Sequence, residues 1–284
     1  MMELSHAPYA PFLSDRLPGM APLAMGDWLQ RDEAFAPQMA YRDRLVAERS
    51  EIVLAGEGCR GSGELVDMIC ANLAAYDPDY VVGTDHVIRP DGVRVVLDPA
   101  RPFATLARLV QEDLLILHRP DGAEEHILTG AALLFPSRWS LQEKMGQPLV
   151  AIHRHVPAYD DGIAPRVQRL FDALRPDRPL VRANWLVHPT PELHQPRRTS
   201  SERKHHERAN GQYWLRVERQ SIMRLPRSDV VVFSVKTVVT PVTALSPAHR
   251  AGLIRALAEQ SAEMREYHGG SEYNDTALTW LRAL

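Results

Sequence analysis

The sequence is poor in residues that carry redox or metal chemistry unaided. It holds two cysteines in 284 residues, Cys59 and Cys70. Two are too few for a disulfide framework, a thiolate zinc site or an iron–sulfur cluster. That poverty fits a reducing cytoplasm. An excess of charge is missing too: 33 Lys+Arg against 36 Asp+Glu leaves a net charge of -3, which gives no electrostatic support for nucleic-acid binding. No apolar run reaches the ~18 residues of a membrane span. The opening MMELSHAPYAPFLSDRLPGM has neither the basic n-region nor the apolar h-region of a secretory leader. G-x-S-x-G, H-E-x-x-H and C-x-x-C are all absent, which removes the motifs of serine hydrolases, zincins and thioredoxins. The glycine-rich stretch Gly56–Gly63 lacks the G-K-[ST] of a phosphate loop, and no strand of clear period leads into it.

What remains is an ordinary globular composition, 45% hydrophobic and 24% charged, sufficient for a full core. Periodicity predicts helices over Glu33–Glu48, Leu65–Tyr76 and Phe103–Asp113. Strand signals begin at Leu114, where LLILH, a polar loop and HILTGAALLF read as a hairpin. Leu141–Met145 and Ile163–Leu174 follow as helices, then three strands in series: Val181–Val187, Tyr213–Leu225 and Val230–Val239. The order predicts an α+β fold of PAS-like form, a five-stranded antiparallel sheet with helices on one face. Ser246–Pro247 opens a helix running to about Tyr267, with proline at its first position, and a short helix covers Ala277–Leu284. The chain thereby divides into an N-terminal arm and helical extension (1–103), a PAS-like core (104–242) and a C-terminal helical tail (243–284). The polar loop Pro189–Asn210 is long enough to be functional or flexible.

Chemistry concentrates at two places. The first is WSLQEKMGQPLVAIHRHVPAYDD (Trp139–Asp161), where His153 and His155 follow an apolar run. Spaced by two, they would share a face in an extended segment and fit a non-haem metal pair. One histidine alone suffices as the axial ligand of a haem. Either is also compatible with a hydrogen-bonded histidine of no catalytic role. The second place is the strand Tyr213–Leu225. Arg216, Glu218, Gln220 and Arg224 fall on one alternating face; Leu215, Val217, Arg219, Ser221 and Met223 fall on the other. The charged row is either a set of cross-strand ion pairs or a polar wall over a ligand. Arg182 and Asn184 share a face of the preceding strand, and Trp185 turns to the core. His188 and His194, flanking the long loop, read as surface groups.

Five segments together resemble the haem-dependent oxidative N-demethylases. They are WLQRDEAFAPQMAYRDRLVAER (Trp28–Arg49), ATLARLVQEDLLIL (Ala104–Leu117), FPSRWSLQEKMGQPLVAIHRHVPAYDD (Phe135–Asp161), RANWLVHPTPELHQP (Arg182–Pro196) and YWLRVERQSIMRLP (Tyr213–Pro226). The resemblance implies a haem b subunit that demethylates a small secondary or tertiary amine, dimethylamine in the best-known case, with O2. It also implies electrons from NADPH through a separate flavin and iron–sulfur reductase subunit, and hence a hetero-oligomer. It places the axial iron ligand at His153, where the family pattern has a proline near the position of His155. From the residues themselves, Arg182 and Arg216 are candidate cofactor contacts, and Glu218 and Arg224 candidate catalytic groups. The competing expectations are a haem-binding PAS-type gas or redox sensor, a non-haem metal protein using His153/His155, and a subunit without cofactor. The short tail after Thr240 holds no output module, which favours the enzyme.

Overall fold

The computed structural model describes residues 19–153, 164–196 and 212–284, apart from Gly269. Its first part runs β1 (Ala21–Pro22), α1 (Phe35–Val53), β2 (Leu54–Ala55) and α2 (Ser62–Tyr76), then β3 (Val81–Val82), β4 (His86–Ile88), β5 (Arg94–Val96) and α3 (Pro102–Leu109). The centre holds β6 (Asp113–His118), β7 (Ile127–Ala132), α4 (Leu141–Lys144), α5 (Leu149–His153) and α6 (Ala164–Ala173). The long strands β8 (Leu180–His188), β9 (Trp214–Arg224) and β10 (Val231–Pro241) precede α7 (Pro247–Ala258), α8 (Ala262–Tyr267) and α9 (Ser271–Arg282).

Among the described residues the named strands pair antiparallel, and the main sheet has seven strands in the order β1-β8-β9-β10-β6-β7-β2. The five predicted strands form its centre in unbroken pairing. The expected five-stranded sheet is corrected at both edges, where the two-residue strands β1 and β2 add on. Two residues show no alternation, so sequence periodicity passes over them. The separate three-stranded sheet β3-β4-β5, built of two- and three-residue strands, likewise carries too short an alternation to signal itself.

Helices cover both faces of the sheet, not one. Successive residues of β6 point opposite ways. Leu114 and Ile116 join Met223 and Val232 in a core with Phe103, Leu106 and Leu109 of α3 and with Trp28. Leu115 and Leu117 join Ile222 and Val231 in a second core with Leu141, Leu149 and Phe171 of α4, α5 and α6. A third core seats α7 and α9, through Leu253, Leu257, Tyr273 and Leu281, on Val187, Tyr213, Leu215 and Val217. The single helix expected over 246–267 is two, because Ser261 caps a fresh start by accepting from Met264 N. No helix among the described residues is long and apolar enough to cross a membrane.

One buried ion pair ties the layers together. Arg42 of α1 and Asp113 of β6 are 0% and 2% exposed and meet at 2.8 Å. Arg42 also donates to the carbonyls of Ala107, Gln111 and Glu112 and lies 5.3 Å from the centre of the Phe135 ring. Asp113 accepts from the backbone N–H groups of Leu134 and Phe135, both at 2.9 Å. Four of the five guanidinium N–H groups and both carboxylate oxygens are met, the condition under which a buried charge pair is tolerated.

The glycine-rich stretch serves packing. Gly56 and Gly61 take positive φ, +68° and +88°, and a Cβ at Gly56 would collide with the Thr129 carbonyl oxygen. Between them Glu57 accepts from the N–H groups of Phe103 and Ala104, at 2.6 and 3.1 Å, and so caps the start of α3.

Candidate functional site

The cross-strand register places the polar row of β9 against β8: Arg182 opposite Gln220, Asn184 opposite Glu218, Leu186 opposite Arg216. Partners across an antiparallel pair share a face, so these side chains all stand on the face covered by α4–α6. They form a continuous chain. Arg182 Nε donates to Gln220 Oε1 at 2.8 Å, and Gln220 Nε2 donates to Glu218 Oε2 at 3.2 Å. Glu218 Oε1 then accepts from Arg216 Nε at 3.2 Å. Arg216, 1% exposed, spends its other donors on Leu193 O (3.1 Å) and Phe135 O (2.5 Å), pinning the segments on either side of the sheet's end. Arg182 and Asn184 are exposed, so the row opens to solvent at the β8 end.

His153 is the last residue of α5, not part of an extended segment. Its Nδ1 donates to the Leu149 carbonyl one turn back, at 2.9 Å. A carbonyl only accepts, so the proton sits on Nδ1 and the lone pair on Nε2. Burial first, and then the positive charges of Arg182 and Lys144, lower the His153 pKa and keep the imidazole neutral. The charge effect puts Arg182 within electrostatic reach of His153. Nε2 of a neutral imidazole, with the other nitrogen held by a backbone carbonyl, is the arrangement that metal-ligating histidines adopt. His155 lies outside the described residues.

Arg224 is not brought to this row. It sits four residues from Gln220 along β9, about 13 Å at strand rise. Its Nε and Nη2 donate to Leu174 O and Phe171 O at the end of α6, and its Nη1 to Asp229.

Two histidines read as surface groups are buried instead. His188 is 3% exposed and His194 9%. Burial, reinforced by Arg138 and Arg216, drives the His188 pKa down to about 3. His194 Nδ1 donates to Leu134 O at 2.6 Å. Both are covered because residues 135–138 and 193–195 pair over the end of the sheet, Arg138 N donating to Gln195 O and Gln195 N to Pro136 O. That contact between distant segments leaves no local sequence signal.

A cleft of about 560 Å³ lies on the other side of the sheet, away from His153, lined among others by Asp27, Asp32, Phe35, Tyr80 and Glu112. Beneath it the buried Lys236 meets Asp32 at 3.1 Å. Among the described residues no group of three His, Cys, Asp or Glu side chains is arranged to hold a metal ion. A haem needs only one protein ligand and makes no such demand.

Residues 19–278 match the family described as haem-dependent oxidative N-demethylase, alpha subunit-like. The chain belongs to this family. The match covers every element from β1 into α9, including α5 and the whole polar row. The family's description supplies haem dependence and an oxidative demethylase character, and it names one chain of a multi-subunit assembly.

Proposed function

We propose that this chain binds haem b through His153 Nε2 and, within residues 104–242, carries out the oxidative N-demethylation of a small secondary or tertiary amine such as dimethylamine. The balanced reaction takes the amine, O2, two electrons and two protons to the shortened amine, formaldehyde and water. The observation that carries the reading is the fixed tautomer of His153 at the end of α5, a helix packed on the same face of the sheet as the β8–β9 polar row.

The cofactor, when bound, supplies the iron at which dioxygen is reduced and the N-methyl carbon oxidised. The chain's own residues do the rest. Arg182 offers a cationic partner for a carboxylate group on the haem edge, whereas Arg216, buried with its nitrogens on Glu218, Leu193 O and Phe135 O, serves by holding Glu218. Glu218 accepts a hydrogen bond from the protonated amine and orients its methyl group. As the family resemblance implies, electrons come from NADPH through a separate flavin and iron–sulfur reductase subunit; two cysteines are too few for an iron–sulfur cluster in this chain. The hydroxymethylamine produced falls apart to amine and formaldehyde without further help.

The first test is the absorption spectrum of the haem-reconstituted protein, oxidised and dithionite-reduced. Wild type is expected to show a Soret band that shifts on reduction, and His153→Ala a lost or displaced band. Formaldehyde release from dimethylamine, with a reductase supplied, is the second readout. A wild-type protein without a Soret band after haem addition overturns the reading.

A further inference from the structure

Gln220 carries no charge, yet it links the two charged halves of the polar row. Its amide orientation is dictated. Oε1 faces the Arg182 Nε–H, and Nε2 faces a carboxylate oxygen of Glu218. A flipped amide would set donor against donor and acceptor against acceptor. Gln220 is 7% exposed, so water does not readily stand in for it. The result for Glu218 is a carboxylate held from both sides, Oε1 by Arg216 Nε and Oε2 by Gln220 Nε2. Arg216 cannot follow a drifting carboxylate, because its two terminal nitrogens are committed to Leu193 O and Phe135 O.

We propose that Gln220 is a positioning residue: it fixes the Glu218 carboxylate as a preorganised acceptor for an alkylammonium ion and holds the Arg182 guanidinium in place at the end of the row. The inference rests on the proposed demethylase reading for its ligand class, and deepens it by naming what sets amine affinity. A carboxylate with one rotamer loses no freedom on binding, and that saving appears as affinity. The amide also keeps two cations and one anion in line without adding a second negative charge.

The experiment titrates dimethylammonium chloride calorimetrically into wild type, Gln220→Met and Gln220→Glu, each haem-free and haem-loaded, with KM and kcat measured on the loaded forms. Gln220→Met keeps length and volume but neither hydrogen bond. Its Kd and KM are expected to rise about tenfold, the scale of a lost hydrogen bond to a charged group, with kcat within about twofold. Gln220→Glu keeps the bond to Arg182 and sets two carboxylates together. Like charges in contact share a proton, so its Kd is expected to become pH-dependent between about pH 5 and 7, tightening as pH rises. A purely structural role would produce neither the Kd–kcat split nor the new pH dependence. If Gln220→Met fails to fold, the polar, near-isosteric Gln220→Glu carries the test through its pH profile.

Unchanged Kd in Gln220→Met, a pH-independent Gln220→Glu, or no amine binding by wild type overturns the inference. A wild type that binds the amine but shows no Soret band overturns the haem reading and leaves the role of Gln220 standing. A haem-loaded, formaldehyde-producing wild type with an indifferent Gln220 does the reverse.

Discussion

His188 stands neutral in a buried position at the end of β8, its pKa pressed down to about 3 by burial and by Arg138 and Arg216. In the unfolded chain it titrates near 6.5. Above that value both states are neutral and its contribution to stability is fully present. Between pH 6.5 and 3 the unfolded state alone takes up the proton, so stability falls with pH by about 1.4 kcal/mol per unit from this residue. His188→Gln is expected to flatten the acid limb of urea-derived stability by that slope between pH 4 and 6; an unchanged slope would show the imidazole to be solvated. The Arg42–Asp113 pair gives a second expectation. Asp113→Ala leaves a buried guanidinium without its counter-charge and should cost about 3–5 kcal/mol in urea unfolding. Arg42→Met with Asp113→Leu removes both charges and should recover much of that loss. A single-variant loss below about 1 kcal/mol would mean that the pair is hydrated.

Elements with their own periodicity were legible in the sequence, and contacts between elements were not. The alternation of Arg216, Glu218 and Gln220 against Leu215, Val217 and Arg219 placed the two faces of β9 correctly, and the register with β8 bears this out. Proline at position 247 and serine at 246 marked the start of α7, where Ser246 Oγ accepts from His249 N at 3.2 Å. Beyond these, Phe103–Asp113 was read as one helix, but α3 ends at Leu109 and Asp113 already belongs to β6. Asp113 is drawn there by Arg42, a partner 71 residues away. The burial of His188 and His194 and the linking role of Gln220 likewise depend on long-range pairing. Gly130 on β7 shows how tightly such pairing closes. A Cβ there would lie 2.5 Å from Phe103 Cε2 and 2.6 Å from Cys59 Sγ. Gly130→Ala should therefore push α3 and the Gly56–Gly63 turn off the sheet, at about 1–3 kcal/mol. A thermal melt that matches wild type would contradict this.

On the scale of the whole molecule, helices cover both faces of the sheet, with the polar row on the side of α4–α6 and the acid-lined cleft on the side of α1 and α2. The C-terminal helices seal the remaining strip. Removing residues 247–284 would uncover Tyr213, Leu215 and Val217, which pack against α7 and α9. The truncated chain is expected to bind a hydrophobic dye such as ANS and to lose cooperative unfolding. Dye binding equal to wild type would show the strip to be closed without those helices.

The strand order has a consequence for how the chain leaves the ribosome. β6 pairs with β7 on one side at once, but its other edge waits for β10, more than a hundred residues later. At translation rates of roughly 5–20 residues per second, that edge stays open for about 5–25 s. Throughout the wait the nascent hairpin presents Leu114, Leu115, Ile116 and Leu117 beside unpaired backbone groups, a template for pairing between nascent chains. Yield on overexpression should accordingly depend on holding chaperones more than the stability of the finished protein would suggest.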